Sequence, residues 1–162
     1  MTDLVDGRPT WDQTWLAIAQ TVAFRSRCDR MRVGAVIVTS DNRSMPPSYN
    51  GPPRGQQLTG TCADWCPRAQ RGDTGSSYDE CCAIHAEANA LIRANFTEIQ
   101  DGTIYVSAAC CINCAKLIAN SGIRRVVHVV GSRDEHRQPD VVEAYLRECG
   151  LTVVRANRVE NL

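Results

Sequence analysis

The sequence feature that constrains the fold most is a His85-Ala86-Glu87 segment followed further along the chain by Cys111-Ile112-Asn113-Cys114. An imidazole and two thiolates are ligands that Zn²⁺ prefers, and a site with three protein ligands leaves the fourth tetrahedral position open for water. A C-x-x-C pair alone would also fit a redox site, but its combination with H-x-E favours metal binding. The fold must therefore bring these two segments together, and three ligands predict a catalytic metal site.

Both halves of this motif fall at the beginning of a predicted helix. Residues 83–95 show helical periodicity, which places His85 in the first turn and Glu87 about 200° further around the helix. Glu87 is then poorly placed to bind the same ion and is free to carry a proton. Residues 112–121 predict a second helix after a strand at 103–107, and the free N–H groups at its start favour thiolates in the C-x-x-C pair.

The remaining periodicity predicts a sheet with helices on both of its faces. The hydrophobic patterns indicate helices at 10–27 and 139–149, strands at 33–39, 125–130 and 151–155, and a short or absent edge strand at 43–49. Pro46 and Pro47 interrupt that edge strand, because proline cannot donate to a β-ladder. Alternating helices and strands in a chain of 162 residues predict a single domain, 1–162, of the α/β class.

The long loop at 50–82 lacks clear periodicity, which is unusual inside a compact domain unless the loop is functional or anchored. Cysteines offer an anchor, because a metal site with four ligands and no open position is typical of structural zinc. We choose as candidate ligands Cys28, Cys62, Cys66 and Cys81, with Cys82 as the substitute for Cys81. The alternative is that these are free buried cysteines, as we predict for Cys149 near the end of the last helix.

Composition limits the classes of function. The chain has 18 basic and 18 acidic residues, so its net charge gives no field that would attract nucleic acid or an anionic membrane. The N-terminal residues do not have the pattern of a secretory signal, and the chain contains no apolar run of about 18 residues. We therefore expect a cytoplasmic protein, in which nine cysteines are more often metal ligands than disulfides.

The H-A-E and C-x-x-C motifs resemble the zinc-dependent cytidine deaminase superfamily, and four blocks are similar to its deoxycytidylate deaminase branch: 28–38, 49–55, 76–90 and 110–127. Cys110 stands where these proteins usually have a proline. The resemblance implies a cytidine-deaminase-like, three-layer α/β/α fold around a mixed sheet of about five strands. It also implies hydrolysis of deoxycytidine monophosphate (dCMP) to dUMP and ammonia, a second structural zinc in some members, and a homo-oligomer, either dimer or hexamer.

The resemblance also assigns substrate contacts. Asn50 is expected to bind the deoxyribose hydroxyl, and backbone N–H groups at 108–111 the edge of the base. A 5′-phosphate needs cationic partners, preferably arginine, and we choose Arg54 and Arg133 among the arginines near the predicted pocket. Four small residues complete the candidate substrate-binding set: Gly34, Ala35, Ala86 and Ala109. For Gly34 the absent side chain would let either a ligand or a backbone segment approach closely.

The predicted mechanism makes Glu87 the proton carrier. Zinc lowers the pKa of water to about 7, and Glu87 would pass the released proton to N3 of the pyrimidine during attack at C4. His128 and His136 are predicted to be packing or surface residues. Alternatives are a deaminase of 5-modified dCMP, free nucleoside or dCTP, and an inactive zinc-stabilised regulatory homologue. A polynucleotide deaminase would need a basic groove, so no nucleic-acid or membrane partner is expected.

Overall fold

The computed structural model of the protein describes residues 7–56, 59–72 and 80–160. Its strands form one mixed five-stranded sheet in the order β2-β1-β3-β4-β5. The strands are β1 (Gly34–Val38), β2 (Ser48–Tyr49), β3 (Thr103–Val106), β4 (Arg125–Val129) and β5 (Thr152–Ala156). The helices are α1 (Trp11–Ala23), α2 (Cys62–Trp65), α3 (Pro67–Gln70), α4 (Ala86–Arg93), α5 (Ile112–Ala119) and α6 (Pro139–Glu148), with a 3₁₀ helix at Ser132–Arg137.

The sheet separates two layers of helices. β1 is antiparallel to both of its neighbours, β2 and β3, whereas β3, β4 and β5 run parallel to one another. Side chains alternate between the two faces: Ile104 and Val106 of β3 join a core with α4, α5 and α6, and Tyr105 joins a second core with Leu16 of α1. The predicted three-layer α/β/α fold around a mixed sheet is confirmed.

Helix α1 is shorter than the predicted helix at 10–27, and it packs very closely on β1. Thr10 and Gln13 form a capping box, since the Thr10 side chain accepts from Gln13 N at 3.2 Å and Gln13 Oε1 accepts from Thr10 N at 2.7 Å. A Cβ atom on Gly34 would lie 1.9 Å from the carbonyl oxygen of Ala19 in α1. Gly34 therefore allows the close packing of helix α1 on β1, and its contact with substrate stays a prediction.

The two prolines before β2 have the predicted effect on the edge of the sheet. β2 contains only two residues and pairs with β1 through Gly34–Tyr49 and Ala35–Ser48. The segment that follows is the long loop, in which α2 and α3 each have four residues. The part of the similarity block 76–90 that covers residues 76–79 lies outside the described residues.

Two further observations complete the fold. Cys149 is exposed, contrary to the prediction of a core cysteine, because it follows the last residue of α6 at the surface. Among the residues that the structure describes, no helix combines the length and the apolar character needed to cross a bilayer.

Candidate metal centre and substrate cavity

His85 lies immediately before α4 and not in its first turn as predicted. Its backbone is extended, with φ −67° and ψ 154°, so it is the N-cap residue of the helix. Glu87 falls in the first turn of α4 and is only 2% exposed, where the helix dipole favours a negative charge. The N-terminus of α4 therefore presents an imidazole at its cap and a carboxylate in its first turn, two residues later.

Cys111 and Cys114 lie at the start of α5, where the prediction placed them. Cys111 is the N-cap residue and Cys114 belongs to the first turn. Both sulfurs approach His85 Nδ1, at 3.5 Å for Cys111 and 3.4 Å for Cys114. Within the described parts of the chain, these three residues are the one set whose potential metal-ligand atoms all lie within 4.8 Å of one another.

The spacing of these atoms fits a zinc ion. Zn–S bonds of about 2.3 Å and Zn–N bonds of about 2.0 Å at a tetrahedral angle place sulfur and nitrogen about 3.5 Å apart. The two measured sulfur–nitrogen distances, 3.5 Å and 3.4 Å, agree with that value. The donor set thus has the chemistry and the geometry of a three-ligand zinc site.

The two cysteines of this set influence each other's protonation. A hydrogen bond from the Cys114 thiol lowers the pKa of Cys111 to about 3, and the same bond raises the pKa of Cys114 well above its usual value. Burial alone would lower the pKa of His85, but its contacts with Cys111 and Glu87 raise it. A metal ion would displace the proton that the sulfurs share, since zinc binds thiolates and neutral imidazole.

Cys110, at the position where proline is usual, is fully buried against Glu87. Burial raises the pKa of its thiol, and the nearby charge and hydrogen bond of Glu87 raise that pKa further. The Cys110 thiol therefore stays protonated and contacts the carboxylate of Glu87 instead of acting as a metal ligand.

A cavity of about 260 Å³ lies beside this centre, and polar side chains form much of its lining. Its lining includes His85, Ala86 and Glu87, and the predicted Asn50 and Arg133 also contribute. The other lining residues are Cys28, Arg30, Met31, Val33, Arg68, Cys81, Ala83, His136 and Arg137. The positive charges in this set outnumber the single carboxylate of Glu87, so the cavity suits an anionic ligand.

Asn50 also shapes the cavity wall through its amide. Oδ1 accepts from Val33 N at 2.9 Å, and Nδ2 donates to the carbonyl oxygen of Met31 at 2.9 Å. An asparagine amide has two donor hydrogens and two acceptor lone pairs, so each of these atoms retains capacity for a ligand. The contact with a deoxyribose hydroxyl stays a prediction.

Besides Gly34, three predicted substrate contacts lie outside this lining. Ala35 is fully buried in β1, and Ala109 is fully buried but accepts a hydrogen bond from Arg137 through its carbonyl oxygen. Arg54 lies on the wall of a second, open cavity, because the chain after Gly51 leads away from the metal centre. That second cavity carries four further arginines: Arg25, Arg27, Arg32 and Arg93.

Sequence reasoning missed three polar residues of the cavity: Arg68, His136 and Arg137. His136, predicted to be a packing or surface residue, is partly buried and lines the cavity from the 3₁₀ helix after β4. Ligands bind beyond the carboxyl ends of strands in open α/β sheets, so the position directly after β4 was the available signal. Burial, together with the charge of Arg137, lowers the pKa of His136.

The cysteines of the long loop do come together. Cys28, Cys62 and Cys66 form one buried cluster, and Cys81 packs against it. Burial raises the pKa of Cys62 to about 11, whereas backbone N–H groups that include that of Cys82 outweigh burial and lower the pKa of Cys66. The four predicted ligands therefore pack together, although their sulfur atoms do not form a set within 4.8 Å of one another, and a second zinc ion stays a prediction.

A helix-covered mixed sheet, with a His/Cys/Cys metal centre at two helix N-termini and a buried glutamate beside it, defines the zinc-dependent deaminase class. Residues 9–130 match the family described as the cytidine and deoxycytidylate deaminase zinc-binding region. The chain belongs to this family.

Individual relatives agree with this assignment. A deoxycytidylate deaminase of Mycobacterium phage D29 is 43% identical over 123 residues, which cover 75% of this chain and 95% of that protein. The deoxycytidylate deaminase of Saccharomyces cerevisiae is 35% identical over 147 residues, covering 90% of this chain but only 45% of the yeast protein. The crystal structure of a dCMP deaminase from cyanophage S-TIM5 shares the fold, with a TM-score of 0.65, 21% identity and coverage of 90% and 96% of the two chains.

Proposed function

We propose that the protein is a dCMP deaminase, which hydrolyses dCMP to dUMP and ammonia, and that residues 1–162 form a single deaminase domain. The observation that carries this proposal is the placement of buried Glu87 beside the His85/Cys111/Cys114 centre, in a cavity that also holds Asn50 and several cationic side chains. The phage relative, aligned over 95% of its length, supports the choice of substrate.

The chemistry follows from two groups. When bound by His85, Cys111 and Cys114, zinc supplies a nucleophile at neutral pH by lowering the pKa of water to about 7. Glu87 would accept the proton of that nucleophile and donate it to N3 of the cytosine ring, which makes C4 more electrophilic. The oxygen of the nucleophile would then bond to C4, and Glu87 would carry the remaining hydroxyl proton to the exocyclic nitrogen, so that the C4–N bond breaks and ammonia leaves. The burial of Glu87, which is 2% exposed, strengthens its electrostatic interactions.

The remaining contacts position the nucleotide. Asn50 is proposed to bind the deoxyribose hydroxyl through the unused capacity of its amide, and Ala86 to border the base. Arg137 donates to the Ala109 carbonyl and forms an ion pair with Asp134 at 3.4 Å, so it fixes the backbone that borders the metal centre. Arg133 lies at the exposed rim, where it is proposed to attract the phosphate.

Steady-state rates on a panel of substrates test this function. The zinc-loaded protein is assayed for ammonia release from dCMP, dCTP, deoxycytidine and 5-methyl-dCMP, and the largest kcat/KM is expected for dCMP. A larger value for another member of the panel would replace dCMP as the substrate. Absence of turnover on all four, in protein with full zinc content, would favour the inactive regulatory homologue.

We also propose that the loop cysteines bind a structural zinc ion through Cys28, Cys62, Cys66 and Cys81. Support comes from the packing of partly buried Cys81 against the buried cluster of Cys28, Cys62 and Cys66, and from the backbone N–H groups that stabilise a thiolate at Cys66. A metal that closes so long a loop would reduce the entropy of the unfolded chain. Metal analysis tests the proposal: about two zinc ions per chain would support it, and one would contradict it.

Assembly and location complete the proposal. Large apolar side chains are exposed on the adjacent helices α4 and α5, among them Ile92 at 73% and Leu117 at 51%, which favours a homo-oligomer, a dimer or a hexamer. Light scattering at several protein concentrations would measure the subunit number, and a monomer at every concentration would contradict the proposed homo-oligomer.

A cytoplasmic location is supported by a thiol-rich composition that suits a reducing compartment.

A further inference from the structure

Ser26 is a buried serine in the turn that follows helix α1, and its hydroxyl makes two hydrogen bonds. Oγ donates to the backbone carbonyl oxygen of Asn50 at 2.8 Å and accepts from the backbone N–H of Cys28 at 3.2 Å. Ser26 is 4% exposed, so solvent has little access to replace either bond. The hydroxyl therefore joins two segments that lie 24 positions apart in the chain.

The bond from Ser26 completes the attachment of Asn50, which lines the substrate cavity. The side-chain amide of Asn50 bonds to Val33 N and to the carbonyl oxygen of Met31, and its backbone N–H donates to the carbonyl oxygen of Val33 at 3.1 Å. The remaining backbone polar group of Asn50 is its carbonyl oxygen, which Ser26 binds. Asn50 is 7% exposed, and a buried residue whose polar groups are all bonded is held in one position.

The peptide group that Ser26 holds also connects Asn50 to the metal centre. Gly51 follows Asn50 and pairs with Ile84, through Gly51 N to Ile84 O at 3.1 Å and Ile84 N to Gly51 O at 2.8 Å. Ile84 directly precedes the ligand residue His85. The Asn50 carbonyl belongs to the planar peptide between Asn50 and Gly51, so rotation of that peptide would move Asn50 relative to His85. The bond from Ser26 opposes this rotation.

We propose that Ser26 is a positioning residue for recognition of the sugar and acts through Asn50, an inference that rests on the proposed deaminase function. A 2′-deoxynucleoside 5′-monophosphate has one free sugar hydroxyl, at C3′, so this is the group that Asn50 would bind. A nucleotide held at its sugar and its base requires a correct distance between Asn50 and the metal centre, since a misplacement of about 1 Å can be costly. Ser26 itself lies behind this wall, on the second cavity.

Two substrates that differ only in the 3′-hydroxyl test the proposal: dCMP and 2′,3′-dideoxycytidine 5′-monophosphate (ddCMP). The measured quantity is the ratio of kcat/KM for dCMP to that for ddCMP. For Ser26→Ala we expect this ratio to fall about 10-fold, the worth of one hydrogen bond, because a displaced Asn50 loses its contact with the hydroxyl. The value for ddCMP should stay the same, since ddCMP has no such hydroxyl. Ser26→Thr retains the donor and should keep the wild-type ratio.

Ser121→Ala is the matched control, because Ser121 makes the same two kinds of hydrogen bond after the end of α5. Its hydroxyl donates to the carbonyl oxygen of Ile118 at 2.7 Å and accepts from Ile123 N at 3.4 Å. Ser121 is not among the residues that line the substrate cavity. The ratio for Ser121→Ala should therefore equal that of the wild type.

A purely structural role of Ser26 predicts a different pattern. Equal losses on dCMP and ddCMP in Ser26→Ala would overturn the proposal, and so would an unchanged ratio. Addition of Ser26→Ala to Asn50→Ala should not lower kcat/KM for dCMP further, and a further fall would show that Ser26 does not act through Asn50. Where Ser26→Ala fails to fold, Ser26→Cys decides, because a thiol is a weak donor. A lower ratio in Ser26→Cys would support the proposal, and the wild-type ratio would overturn it.

Binding distinguishes failure of this inference from failure of the proposed function. If the wild type turns over neither dCMP nor ddCMP, the proposed function fails, and the affinities for dUMP and 2′,3′-dideoxyuridine 5′-monophosphate (ddUMP) are measured by calorimetry instead. Tighter binding of dUMP than of ddUMP, lost in Ser26→Ala but kept in Ser121→Ala, would support the role of Ser26. The same ratio of affinities in the wild type and in Ser26→Ala would overturn it.

Discussion

The sulfur of Cys114 lies 3.4 Å from Nδ1 of His85, although 29 positions separate the two residues in the chain. The contact exists because α4 and α5 pack side by side with their N-termini at the same end of the sheet. Both helix ends contribute partial positive charge, which favours the thiolate that a metal requires. The metal centre is therefore a product of helix packing as much as of motif spacing.

Removal of zinc should abolish activity and loosen this end of the molecule. Without the ion, Cys111 and Cys114 share a proton, and the attachment between the two helix ends relies on weaker hydrogen bonds. We expect a chelator to remove the turnover and to lower Tm, and added zinc to restore both. Activity that persists in protein shown by metal analysis to be zinc-free would contradict the assignment.

Glu87→Gln should separate metal binding from catalysis. Glu87 is not among the three ligand residues, so the variant should keep its catalytic zinc. The glutamine amide, unlike the carboxylate it replaces, cannot accept and deliver the proton. We expect kcat to fall by roughly 10²- to 10⁴-fold, the usual contribution of a general acid–base group. Zinc content and kcat are measured on the same preparation, and turnover comparable with the wild type would refute the role of Glu87.

Prediction from sequence succeeded where the signal was local. The β-branched run at 33–39 contains β1, the prolines at 46 and 47 shorten β2, and the C-x-x-C spacing places two sulfurs at the first turn of α5. It failed where tertiary packing decides. Arg68 enters the cavity only because the loop folds back onto Asp29, a contact across 33 positions that no periodicity reveals.

Gly34 and His85 also show where prediction from sequence reaches its limit. Gly34 was open to two interpretations, ligand approach or backbone approach, and only the packing of α1 against β1 reveals the second. The helical pattern at 83–95 also could not tell an N-cap residue from a first-turn residue, because boundaries vary by one or two positions. His85 is the cap, and this one-residue difference changes the direction in which its imidazole points.

Glu143 should be essential for stability, away from the active site. Its carboxylate, in α6, lies 3.0 Å from His128 Nε2 and 3.0 Å from Arg147 Nη2, and it also contacts Arg155 of β5. Glu143 is 3% exposed, whereas the side chains of Arg147 and Arg155 are 52% and 44% exposed, so its removal leaves the imidazole of buried His128 without this partner while both arginines stay hydrated. We expect Glu143→Ala to cost about 1–3 kcal/mol in denaturant unfolding, the usual penalty for a buried polar group left without its hydrogen bond. Glu148→Ala, exposed on the same helix, is the control and should change stability little.

The same network predicts that stability falls on acidification. Burial lowers the pKa of His128 below its ordinary 6.5, and the hydrogen bonds of Arg155 and His128 outweigh burial to lower the pKa of Glu143 below 4.5. The unfolded chain therefore binds protons before the folded chain does. Stability should decline as pH drops below about 6.5 and decline further below about 4.5. Unfolding free energies measured from pH 8 to pH 4 check this, and a flat profile would contradict it.

Cys62→Ser should test the zinc site proposed for the cysteine cluster. Cys62 is 2% exposed in that cluster, and its N–H holds the loop to Asp29. Replacement of its sulfur removes one proposed ligand, so we expect a lower Tm and a zinc content lower by about one ion per chain. Cys149→Ser makes the same chemical change at an exposed position and should alter neither quantity. A lower Tm with unchanged zinc content would mean that the cluster acts through packing alone.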